Sequence, residues 1–217
     1  MSRTDTDIAA AIDAFRAGEP VLIHDAADRE GEVDLIYPAG AVDRMAIARL
    51  RHDAGGLICV ALSDAVCRTF ELPFAGDAID HPAVDDTDLG YDERSSFSLS
   101  VNHRDTYTGI TDDDRALTIR ELAAAAADPG ETDFAATFRS PGHVRLLRGA
   151  PELLADRRGH TELGLALAAA AGRPPAVVVC EMLDAATGDG LAPTGARAYG
   201  ERTDTPYVEG RRLIEAL

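Results

Sequence analysis

The stretch DREGEVDL, residues 28–35, sets three acids, Glu30, Glu32 and Asp34, two positions apart. On an extended strand side chains alternate faces, so these acids share one surface, while Arg29, Gly31, Val33 and Leu35 take the other. Like charges at that spacing repel, and each carboxyl is pushed toward its neutral form unless a metal ion or an arginine compensates. Such a face is either wet or holds a cation. In a chain with 38 Asp and Glu among 217 residues, a plain solvated face has an equal claim.

A second chemical stretch is RRGHTELGLALAAAAG, residues 157–172. Arg157, Arg158 and Gly159 stand just ahead of a helix whose first amides have no partners within the helix. Those N–H groups, the positive end of the helix dipole and a guanidinium all favour phosphate. Thr161 is placed to cap the helix and donate its hydroxyl to the same anion. An ordinary capped helix with solvated arginines reads the same way. His160 sits inside this cradle, and His143 lies in RSPGH, where Ser140, Pro141 and Gly142 predict a turn that presents the imidazole. Glu181 interrupts the apolar run VVVC at a strand end, where an ionised carboxylate seldom stands without a partner and where ligand sites gather. In TYTGITDDDR, Asp112, Asp113 and Asp114 would repel phosphate, so the reading there is helix capping, with Thr108 a candidate hydroxyl donor.

The elements that must position these groups follow from periodicity. Apolar residues at helical spacing predict helices over 7–17, 42–52, 115–127 and 161–171, with Thr111 or Asp112 as the cap of the third. VLIHDA, LICVAL, SSFSLSVN and VVVCEML predict strands over 21–26, 57–62, 95–102 and 177–183. Residues 73–93, acidic and rich in turn formers, read as a loop. Strands and helices alternate without a linker or repeat, so the expected class is α/β, α+β-like, with a mixed sheet in a single domain over residues 1–217.

Composition removes other function classes. A formal charge of −17 argues against nucleic acid and anionic membrane partners, which need a basic footprint. All 21 basic residues are arginine, and without lysine a Schiff base, a pyridoxal phosphate anchor and a Walker A loop are excluded. The acid excess without lysine reads as salt adaptation or as genomic base composition. Cys59, Cys67 and Cys180 lack paired-ligand spacing and read as buried reduced thiols. No charged leader with an apolar core opens the chain and no apolar run is long enough to span a bilayer, so a cytoplasmic protein is expected.

Taken together, DREGEVDL, TGITDDDR, RSPGHV, RRGHTE and VVVCEML, in this order and at these separations, resemble the 3,4-dihydroxy-2-butanone 4-phosphate synthase family over about residues 21–183. The resemblance implies a magnesium-dependent lyase of riboflavin biosynthesis that converts D-ribulose 5-phosphate into 3,4-dihydroxy-2-butanone 4-phosphate and formate. It also implies a mixed-sheet sandwich with flanking helices and a homodimer whose active sites lie at the subunit interface. Carried over by motif, Glu30 and His160 are metal ligands, and Arg157, Arg158, Gly159, His160 and Thr161 form the phosphate cradle. Arg29, Glu30, Asp34, Thr108 and Glu181 contact the substrate. Glu32, Asp34, His143 and Glu181 are the catalytic acid–base groups. Enolisation, dehydration and a skeletal shift all move protons beside a carbonyl, which is why several such groups would surround one small sugar. Magnesium keeps few protein ligands, and with a histidine among them manganese also serves. The chain ends without the clustered cysteines of a GTP cyclohydrolase II domain, so a monofunctional enzyme is expected. Rival readings are a metal-dependent aldolase or isomerase of another sugar phosphate, and a phosphate-binding module without turnover.

Overall fold

The apolar runs become strands of one sheet. A computed structural model describes residues 3–25, 31–84, 90, 92 and 94–217, and within them seven strands: β1 (Val21–His24), β2 (Val33–Pro38), β3 (Cys59–Leu62), β4 (Phe97–His103), β5 (Phe138–Arg148), β6 (Ala176–Val179) and β7 (Tyr207–Glu209). Their order across the sheet is β4-β5-β3-β6-β2-β1-β7. β1 runs parallel to β7 and β3 to β5, and the other described neighbours are antiparallel, which is the mixed sheet expected.

Helices α1 (Arg3–Ala17), α2 (Arg44–Asp53), α3 (Asp64–Thr69), α4 (Ala75–Ala78), α5 (Asp112–Ala127), α6 (Phe134–Thr137), α7 (His160–Ala170), α8 (Pro193–Thr203) and α9 (Gly210–Ala216) accompany it. Phe15 of α1, Leu163 and Leu167 of α7 and Leu213 of α9 pack with Ile23, Ile36, Val177 and Val179 on one face. Ile47 and Leu50 of α2, Ile119 and Leu122 of α5 and Tyr199 of α8 pack with Leu35, Val60 and Val178 on the other. Strand alternation then settles which way each polar residue points. Val33, Leu35 and Tyr37 of β2 belong to the α2/α5 core and Ile36 to the α7 core, so Asp34 faces α7. The same count along β6 and β3 turns Val179 and Cys59 toward α7. Residues at this end of the sheet on this face meet the first turn of α7.

The structure departs from the sequence expectations at several boundaries. The strand expected through DREGEVDL begins only at Val33, because Gly31 adopts φ +69° and Glu32 turns back: its N–H donates to Asp25 Oδ1 at 3.2 Å and its carbonyl accepts from Asp25 N–H at 3.2 Å. The strand expected over 177–183 ends at Val179, with Glu181 continuing as an isolated bridge. Ser140, Pro141 and Gly142 form no turn but lie inside β5, whose first half pairs with β4 alone. Gly142 makes that pairing possible, since a Cβ there would stand 2.0 Å from the Val101 carbonyl carbon. Thr111 is the cap of α5, as one of the two expected alternatives. The 73–93 stretch includes the single turn α4, and part of it lies outside the described residues. Cys59, Cys67 and Cys180 are free and buried, as expected. No helix among the described residues is long and apolar enough to cross a membrane.

Candidate active site

Two carboxylates meet where β2 and β6 part. Leu35 N–H donates to the Cys180 carbonyl at 2.9 Å and Met182 N–H to the Val33 carbonyl at 2.7 Å, which leaves Asp34 and Glu181 directly opposite as the non-hydrogen-bonded pair between them. That position brings Cα atoms closest in an antiparallel ladder, about 4.5 Å, and like charges there destabilise the sheet. Glu181 is further fixed by Gly55, whose N–H donates to its carbonyl at 2.6 Å. Above the pair lies His160, with Nδ1 3.6 Å from Asp34 Oδ1, and both side chains are almost wholly buried. An imidazole between a carboxylate and a cavity can exchange a proton with either, so the trio has the parts for acid–base chemistry.

The cavity these groups border has a volume of about 370 Å³ and is lined also by Glu32, Cys59, Arg157 and Thr161. Burial, with Glu181, Cys180 and Asp34 adding to it and Arg145 opposing, pushes the Cys59 thiol far above its ordinary range. A thiol so held stays neutral near neutrality. Glu32, although off the strand, reaches the same cavity as Asp34.

The cradle at α7 differs in detail from its sequence reading. Gly159, not Thr161, is the N-cap, and it has no side chain with which to cap α7. Thr161 is buried in the first turn. Arg157 folds back over Gly159, where a Cβ would stand 2.7 Å from Arg157 Nη1. From there Nη1 donates to Glu162 Oε2 at 2.8 Å, and Nε and Nη2 both stand 2.5 Å from Asp92 Oδ2. Burial works to lower the Arg157 pKa, but Glu162 and Asp92 outweigh it and hold the guanidinium above even the ordinary arginine range. Arg158 stands apart: it is exposed, turned toward the Leu154 carbonyl, and outside the lining of the cavity.

His143 and Thr108 form a separate group. His143 is exposed on β5, its N–H donates to Asn102 Oδ1 at 2.8 Å, and its ring Nδ1 lies 3.2 Å from Asn102 Nδ2. The imidazole is presented as expected, but by a strand instead of a turn. Because Val144 and Leu146 point into the α2/α5 core and Leu147 into the α7 core, His143 shares the sheet face of Asp34 and Glu181. It lies across two strand spacings from β6 and three from β2, which is about 10 and 14 Å. Thr108 Oγ1 is 3.4 Å from Asp114 Oδ2, which also accepts from Gly109 N–H at 2.8 Å, so in this structure its hydroxyl serves the start of α5. Arg29 and Glu30 lie outside the described residues.

Sequence reasoning missed Cys59, Asp92, Arg94 and Glu162 at this site. Glu162 alone carried a signal, as the single acid in the otherwise apolar helix after RRGHT; it is fully buried and also accepts from Ala150 N–H at 3.0 Å. The others are brought to the cavity by topology.

Residues 9–216 match the family described as 3,4-dihydroxy-2-butanone 4-phosphate synthase. A synthase of that name from Archaeoglobus fulgidus is 47% identical over 96% of this chain and 93% of its own. The synthase from Candida albicans is 32% identical over 100% of this chain and 99% of its own, and a crystal structure of a Candida albicans synthase aligns with TM-score 0.80 at 30% identity over 96% of both chains. A crystal structure of such a synthase in complex with two magnesium ions aligns with TM-score 0.82 at 31% identity, over 96% of this chain and 95% of that one.

Proposed function

Because the chain belongs to the 3,4-dihydroxy-2-butanone 4-phosphate synthase family, we propose that it is a lyase that converts D-ribulose 5-phosphate into 3,4-dihydroxy-2-butanone 4-phosphate and formate in riboflavin biosynthesis. The observation that carries the reading is the opposed pair Asp34 and Glu181 beneath His160, in one cavity with Thr161 of the first turn of α7. A sheet tolerates two facing carboxylates at its closest cross-strand position only when something compensates them. The sugar's hydroxyls and carbonyl would lie over this pair, so that Asp34, Glu181 and Glu32 hold or move protons on adjacent carbons. The phosphate end would lie at Thr161 and the first amides of α7.

The donor set fits a hard divalent cation. Carboxylate oxygens of Glu32, Asp34 and Glu181 and the imidazole of His160 face one cavity, yet no three His, Cys, Asp or Glu among the described residues close around a point by themselves. Magnesium keeps waters and takes substrate oxygens to complete its shell, so few protein donors suffice for it, and an imidazole donor also admits manganese. Glu30 and His160 would hold it, and when bound it polarises the substrate carbonyl and supports enolisation.

The reading includes a homodimer with shared sites and a cytoplasmic setting, where phosphorylated sugars are found. Support for the dimer comes from β4 and β5 and the loop beyond β4. They carry His143 and Thr108 away from the cavity of their own chain, beside Tyr107 and Ile110, exposed to 93% and 51%. Apolar side chains so presented fit a partner surface, and His143 would complete the site of a second copy. The test is metal-dependent turnover: consumption of D-ribulose 5-phosphate should stop on chelation and return with added magnesium. A stripped protein that turns over unchanged would contradict the reading.

A further inference from the structure

Asn102 stands where the ladder between β4 and β5 breaks register. Pairing passes from Val101–Val144 straight to Asn102–Arg139, so residues 140–143 swell out of the ladder. His143 N–H therefore meets a side chain instead of a strand carbonyl, donating to Asn102 Oδ1 at 2.8 Å. A backbone N–H can only donate, so the atom it meets is the amide oxygen and the other amide atom is the nitrogen. That nitrogen, Nδ2, lies 3.2 Å from His143 Nδ1. Two donors cannot face each other, so Nδ1 of the neutral ring accepts and the ring proton sits on Nε2. We infer that Asn102 is a positioning residue for the reaction proposed above, on which this inference rests: it fixes the His143 tautomer that presents Nε2–H outward, as a hydrogen-bond donor to a substrate oxygen.

The surroundings leave the amide little choice. Asn102 is only 4% exposed. Gly109, at φ +86°, packs so closely that a Cβ there would stand 2.0 Å from Asn102 Nδ2, and its N–H is tied to Asp114 Oδ2 at 2.8 Å. On the other side a Cβ at Gly142 would stand 2.4 Å from the Asn102 backbone nitrogen. The amide is thus wedged between two glycines and cannot swing away from the ring. His143 Nδ1 also lies 3.3 Å from Asn102 Oδ1. A neutral ring protonated on Nδ1 would have to share an oxygen already taken by the backbone N–H, and would turn a donor against the buried Nδ2. With Nδ1 engaged, His143 meets the substrate with an N–H and not with a lone pair. A neutral imidazole used in this way polarises a carbonyl or hydroxyl oxygen. Proton removal then falls to the carboxylates of the site, Asp34 and Glu181 among them.

The test is long-range proton–nitrogen NMR of the full chain labelled with nitrogen-15 histidine, at a pH above neutrality, with His143 assigned by the signals lost in His143→Gln. The parent should show a pyridine-like Nδ1 and a pyrrole-like Nε2. Asn102→Asp keeps an acceptor for His143 N–H but replaces the Nδ2 donor by a second acceptor, so Nδ1 should become pyrrole-like. A role confined to holding the backbone would leave both ring shifts where they were. In steady-state kinetics with D-ribulose 5-phosphate, Asn102→Ala should lower kcat by about 10- to 100-fold, part of what a positioned proton donor contributes, with a smaller change in KM. A parent ring with its proton on Nδ1 overturns the inference, as does a folded Asn102→Asp with parental His143 shifts or a folded Asn102→Ala with parental kcat. If neither variant folds, the parent spectrum decides the tautomer by itself. Because the spectra need no turnover, a parent chain with the expected tautomer that releases no formate counts against the reaction and not against Asn102.

Discussion

Asp34 and Glu181 face each other at a cost to the sheet that the proposed chemistry would explain. Each is a carboxylate placed where an antiparallel pair brings side chains closest. Asp34→Asn and Glu181→Gln remove a like charge while keeping shape, so melting temperature should hold or rise. Turnover at saturating substrate should fall by about 100-fold or more if these groups move protons. Melting curves and kcat measured on the same preparations check both halves, and lower stability with retained turnover would count against the assignment. These two residues were legible in sequence, Glu181 because it interrupts an apolar run and Asp34 as the last of three acids at alternate positions. Arg94 and Asp92 were not, since nothing in DERSSF, residues 92–97, says that topology will bring it beside RRGHT. Arg158, adjacent to Arg157 in sequence, turns toward the Leu154 carbonyl outside the lining of the cavity.

Long periodic elements read well and short or punctuated ones did not. α1, α2, α5 and α7 follow from helical spacing, and the cap of α5 from Thr111. β5 was hidden because Ser140, Pro141 and Gly142 carry turn signals that strand pairing overrides. β7 is three residues long, and α3 and α9 have six and seven, too few for a period to show. β4 and β5 form the element pair on which the proposed shared site would depend. Gly142→Ala should drive a methyl into the backbone of Val101 and Asn102, costing about 1–3 kcal/mol. Displacement of His143 should then reduce both turnover and the dimer fraction, read by activity and by light scattering. A variant with parental mass and rate would show that the close approach is not needed.

At the scale of the whole chain, 38 acids against 21 arginines leave −17 to be carried on 217 residues. Self-repulsion of that size favours expansion, and screening relieves it, so the melting temperature should rise between low and molar potassium chloride. A midpoint independent of salt would remove the case for salt adaptation. The same field repels anionic substrates, which makes localised cations at the cavity mouth more important to binding than net charge suggests.

What separates the proposed lyase from an aldolase, an isomerase or a phosphate-binding module is the loss of one carbon as formate. Carbon-13 NMR of uniformly labelled D-ribulose 5-phosphate, incubated with the magnesium-loaded protein, reads that carbon directly. The account predicts one formate for each four-carbon phosphate formed. Substrate that binds without producing formate, or that is consumed into products retaining all of its carbon in sugar phosphates, would contradict it.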